Sequence, residues 1–116
     1  MPDTTNGATG ATLAALQKQY FFLDRNFSKL FAACATDAQR DALRVDYVQA
    51  RDNFLKARTE AFAEDDPMVA DLRGQIGDAQ SQIEKSAKKL ADVSKTLDLI
   101  TKAVNLGSRL VTLGAV

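Results

Sequence analysis

Histidine is missing from this chain altogether. Without an imidazole there is no Ser–His or Cys–His couple, no imidazole metal ligand and no side chain whose ordinary pKa lies near neutrality. Cysteine occurs once, as Cys34, which excludes an intramolecular disulfide framework and fits a reducing compartment. Proline occurs only at positions 2 and 67, so long helices are open to the chain. Tryptophan is absent too, which removes a frequent anchor at membrane interfaces. No stretch reaches the ~20 uncharged apolar residues of a membrane span. The opening MPDTTNGATGATLAAL has neither the basic region nor the apolar run of a secretory signal. A cytoplasmic protein is expected, with signal-less export left open. Neither sign of charge is in excess: fifteen Asp and Glu balance fifteen Lys and Arg, so no global field favours nucleic acid or anionic lipid.

These absences argue against an enzyme and predict neither cofactor nor metal. The GATGAT stretch lies in the polar N-terminal segment and lacks the lysine of a phosphate-binding loop. Carboxylate pairs such as Glu60/Glu64 have no neighbours that would build a pocket. Cys34 falls on an apolar stripe and reads as a small core residue, not a nucleophile.

What is present is helical periodicity. With 116 residues, 46% of them hydrophobic, the chain is sized for one domain with one core. Residues 1–11 read as a flexible polar tail and 12–116 as a single helical domain. Leu13, Leu16, Tyr20, Leu23, Phe27, Leu30 and Cys34 recur three and four apart, predicting a helix over about 12–34. Thr36 and Gln39 match a capping box, opening a second helix over about 37–64. Its apolar residues are Val45, Val48, Leu55 and Phe62, flanked by Tyr47, Phe54 and Ala61. Asp66 suits an N-cap and Pro67 a first helical position. The acidic cluster Glu60, Glu64, Asp65, Asp66 and Asp71 therefore has a capping explanation in preference to a divalent-ion site, for which no ligand loop is visible.

From Pro67 onward Val69, Ile76, Ile83, Leu90, Leu97, Val104 and Val111 fall at seven-residue intervals, a heptad seam predicting one continuous or gently bent helix over about 67–113. Gly74 and Gly77 are the candidate break points. Charge pairs Asp52/Lys56, Glu84/Lys88 and Asp98/Lys102 suit i,i+4 contacts. At 1.5 Å per residue the third helix would be roughly 70 Å long, against roughly 35 and 40 Å for its partners. The expected fold is all-α: an antiparallel hairpin plus a long third helix, a three-helix bundle with coiled-coil character and an oligomeric assembly.

The end of the chain carries a second apolar stripe, Leu99, Ala103, Leu106, Leu110 and Leu113, about 120° from the first by the helical period. Such an arc is wider than one partner helix needs. Phe22 adds to it, because in the run Tyr20-Phe21-Phe22-Leu23 four large side chains cannot all face one core. These six residues are the expected interaction face. The function expected is a non-catalytic helical interaction or oligomerisation module of the adaptor, secretion-associated or immunity type, binding itself or another helical protein. A membrane-active helical protein is the alternative, since six Lys and Arg lie between residues 85 and 109 beside that apolar arc. Bases spread over all helices give little footing for nucleic acid.

Overall fold

The computed structural model describes the backbone of residues 2–89 and 92–114, and the side chains of residues 10–88 and 92–114. Within them the chain forms four helices: α1 (Pro2–Ala33), α2 (Asp37–Ala57), α3 (Pro67–Lys89) and α4 (Val93–Gly114). Helix α1 extends back to Pro2, ahead of the apolar stripe that begins at Leu13. The body measures 48 × 22 × 22 Å. Helices α1 and α2 form one antiparallel hairpin and α3 and α4 another. α4 packs against both α3 and α2, and α1 against α2 with lighter contact to α3 and α4.

The single long third helix is therefore two. The break is not at Gly74 or Gly77, which lie inside α3 with open space around them. It comes at the junction ahead of Asp92, whose Oδ1 accepts the backbone N–H of Lys95 at 3.0 Å, an N-cap contact that starts α4. The hydroxyls of Ser86 and Thr96 then meet across the two helices. Leu90, assigned to the seam by periodicity, lies outside the described residues. The heptad count runs through this turn unbroken, because Ile83 and Leu97 both face the core from opposite sides of it.

α2 is also shorter than expected. It stops at Ala57, where Thr59 donates both its N–H and its hydroxyl to the carbonyl of Lys56. Its start is as the capping box requires, with the Thr36 hydroxyl accepting from Gln39 N at 3.1 Å and the Gln39 side chain returning to Thr36 N. α3 likewise starts at Pro67, with Asp66 Oδ1 accepting from Met68 N at 2.8 Å.

The core has two lobes. One collects Leu23, Leu30, Leu43, Ile83, Leu97 and Ile100; the other collects Leu16, Phe62, Val69, Ile76, Leu106 and Leu110. Where the lobes meet, Gln19 and Asn53 are buried. Gln19 Nε2 donates to the Ala103 carbonyl at 2.9 Å, and Asn53 Nδ2 to Ser108 Oγ at 3.2 Å. Gly107 lets α1 and α2 approach α4 here: a Cβ on it would lie 3.1 Å from Gln19 Oε1 and 3.2 Å from Asn53 Nδ2. Cys34 is buried, as its stripe implies, and its Sγ donates to the Leu30 carbonyl.

Candidate interaction surface

The expected interaction face on α4 is mostly interior. Ala103, Leu106 and Leu110 are 0–6% exposed, and Phe22 is buried beside Ile83 and Ala87 in the first lobe. Leu99 is half-buried against the same lobe. Only Leu113 stays open, 49% exposed, beside Met68 in a shallow depression with Arg109 and Thr112. The width of the arc has an intrachain cause: α4 packs against α3 and α2 and touches α1, and residues of both stripes enter both core lobes.

The second correction lies on α2. Its core face is Leu43, Asp46, Ala50, Asn53 and Ala57, not the stripe of Val45, Val48 and Leu55. Those three point outward, 65%, 43% and 44% exposed. Ala50 and Ala57 let α2 approach closely, and the two buried polar residues find partners on α4, with Thr101 Oγ1 donating to Asp46 Oδ2 at 2.5 Å. Burial raises the pKa of Asp46 above its ordinary 3.8, and the Thr101 hydrogen bond offsets this only in part. Packing volume and hydrogen bonding, not side-chain hydrophobicity, select the inward face.

With α2 turned this way, a ladder of aromatic rings forms along the α1–α2 seam. Tyr20 contacts Phe21, Tyr47 and Phe54, and Phe27 contacts Tyr47 and Phe31, with centroids 5.1–5.8 Å apart. The spacing is set in sequence: Tyr20 and Phe27 are seven apart on α1, Tyr47 and Phe54 seven apart on α2, so each helix offers a row to the other. Guanidiniums close the ladder at both ends, Arg44 4.8 Å from the Phe31 ring and Arg58 5.8 Å from the Phe54 ring. The Tyr47 hydroxyl donates to Asp24 Oδ1 at 2.6 Å. That carboxylate holds the phenol protonated and its pKa well up, with Tyr20 adding to the effect.

The ladder is half-open to solvent, and Phe21 at its edge is 42% exposed. Arg44, Arg51 and Arg58 form a row at seven-residue spacing beside it, and Val48 and Leu55 form the next row outward. Such a face offers contact area, cation–π and hydrogen-bond donors, without a nucleophile or a proton relay. The sequence signal for it was the recurrence of Arg44, Arg51 and Arg58, which marks the solvent side of α2, paired with Leu43, Ala50 and Ala57 at the same interval inside.

The acidic cluster divides. Asp66 caps α3. Glu64 is an internal tie, accepting from Thr12 N at 3.0 Å and the Thr12 hydroxyl at 2.5 Å, and pairing with Arg73 at 2.7 Å. The i,i+4 pairs Asp52/Lys56, Glu84/Lys88 and Asp98/Lys102 do not close. Ion pairs among the described residues include Asp37–Arg40 and Asp41–Arg44 at i,i+3 spacing. Among the described residues, no helix is long and apolar enough to cross a membrane. Comparison with known proteins returns no match to a family model, a curated protein or a solved structure.

Proposed function

We propose that this chain is a non-catalytic helical module that acts by protein–protein contact, associating through the outer face of α1 and α2 with a second copy of itself or with another helical protein. The observation that carries this reading is the open aromatic ladder edged by Phe21, 42% exposed, with an arginine row beside it and Val48 and Leu55, 43% and 44% exposed, in the row beyond. Aromatic and arginine side chains around an apolar patch are the composition enriched at the centres of protein interfaces. Covering it removes apolar area from water at roughly 25 cal/mol per Å². The membrane-active alternative drew on the apolar arc of α4, and Ala103, Leu106, Leu110 and Val111 of that arc are engaged in the chain's own core.

Sedimentation equilibrium across a range of concentrations tests the reading. The wild type is expected to rise above monomer mass as concentration increases. The double substitution Val48→Glu/Leu55→Glu is expected to hold it at monomer mass with helicity unchanged, because both side chains are solvent-facing within the monomer. A wild type that stays monomeric throughout contradicts self-association, and a variant that keeps the wild-type mass contradicts this choice of face.

A further inference from the structure

A different surface carries a charge signal. Helices α1 and α3 run in the same direction with light contact, leaving between them a groove of about 420 Å³. Phe22 and Ala87, both nearly buried, close its floor. Its walls are basic. Lys18, Arg25 and Lys29 share one face of α1, at spacings of seven and four residues, and Lys88 stands on α3 opposite them. Against these four cations the groove holds one carboxylate, Glu84, which lies 4.0 Å from Lys18, and one amide, Asn26, whose Nδ2 is committed to the Phe22 carbonyl. Among the described residues, Arg25, Lys29 and Lys88 form no ion pair.

Glu64 of the acidic segment is held away from them. It is tied to Thr12 and Arg73, and thirteen residues of α1 separate Thr12 from Arg25, about 20 Å at the helical rise. Three of the four cations, Arg25, Lys29 and Lys88, thus line the groove without an ion-pair partner among the described residues.

We propose that the α1–α3 groove binds an acidic, extended segment of a partner polypeptide. From Lys18 to Lys29 is about 16 Å along the helix, a length that about five residues of extended chain would span. Arg25 and Lys29 are about 6 Å apart along α1, close to the ~6.6 Å between same-face side chains of an extended strand. Carboxylates at alternate positions would therefore meet successive cations. A single-stranded nucleic acid fits less well, because base stacking needs an open aromatic face and Phe22 is only 8% exposed. A membrane surface fits less well, because an interfacial helix presents apolar side chains outward beneath its basic residues, and here the apolar residues form the floor of a cleft. The groove lies away from the α1–α2 ladder, so the two proposals stand or fall separately.

The test is fluorescence anisotropy with a labelled ten-residue peptide of alternating Glu and Thr. Arg25→Glu/Lys29→Glu serves as the groove variant. Lys85→Glu/Lys95→Glu serves as a control of equal charge change, in the separate depression these residues line with Leu99. Unchanged circular dichroism confirms that both variants fold. The wild type is expected to bind the peptide with an affinity that falls as salt rises, the groove variant to bind about tenfold more weakly, and the control to stay within about twofold of wild type. Equal losses in both variants would reduce the effect to overall charge and overturn the proposal. So would absence of binding at low salt, or tighter binding to an oligonucleotide of the same length or to anionic vesicles.

Discussion

Asp46 occupies a core position on α2, between Leu43 and Ala50, with Thr101 as its hydrogen-bond partner. Because burial raises its pKa above 3.8 in the folded chain, the folded state holds this proton more tightly than the unfolded state does. Stability on this account is fully present below the unfolded pKa and is lost as pH rises through the folded one. Asp46→Asn keeps an oxygen that can accept from Thr101 and removes the ionisation. The melting temperature of the substituted chain is expected to match the wild type near pH 3.8 and to exceed it increasingly as pH rises, before levelling off. Thermal melts at a series of pH values check this; a pH-independent difference would mean that Asp46 ionises as freely folded as unfolded. Residues such as Asp46, Gln19 and Asn53 were illegible in the sequence. A polar side chain in a helix is read as outward, and nothing along the chain reveals that Thr101, Ala103 and Ser108 supply partners from another helix.

At the scale of helices, three starts and stops carry local chemistry. Two were legible, the Thr36/Gln39 box and the Asp66-Pro67 pair, because cap and first turn lie within four residues of each other. The third, at Asp92, was hidden. A lysine follows it at the position where a capping box has Glu or Gln, and the apolar sevenfold spacing continues straight across the turn. Glycine is the more visible breaker in the sequence, yet the structure separates the glycines by what surrounds them. A Cβ added at Gly74 or Gly77 would meet nothing within 4 Å, whereas one at Gly107 would meet three side-chain atoms at 3.1–3.2 Å. Gly77→Ala is expected to stabilise by roughly 0.5–1 kcal/mol through helix propensity alone. Gly107→Ala gains the same propensity but crowds Leu16, Gln19 and Asn53 together, and is expected to destabilise by about 1 kcal/mol net. Urea unfolding of the two variants checks the signs. Stabilisation by Gly107→Ala would show that the junction of the two core lobes is looser than these distances imply.

For the whole molecule, the all-helical class and most of the apolar stripe of α1 were readable, since Leu16, Leu23, Leu30 and Cys34 are all buried. The arrangement was not. Once a turn divides the long helix, α4 becomes a fourth wall, its second stripe turns inward, and α2 rotates Val45, Val48 and Leu55 outward to place alanines against α4. One hidden turn thus moved the candidate binding face from the end of the chain to its first two helices. The most direct test is denaturant unfolding, followed by far-UV circular dichroism at concentrations low enough to keep copies apart, of two charge-bearing pairs. Leu106→Glu/Leu110→Glu places two carboxylates in the interior and is expected to abolish the cooperative transition. Val48→Glu/Leu55→Glu is expected to keep it, with each substitution within about 0.5 kcal/mol of wild type. The opposite pattern, with the α4 pair folded and the α2 pair unfolded, would contradict the assignment of inside and outside on which both faces rest.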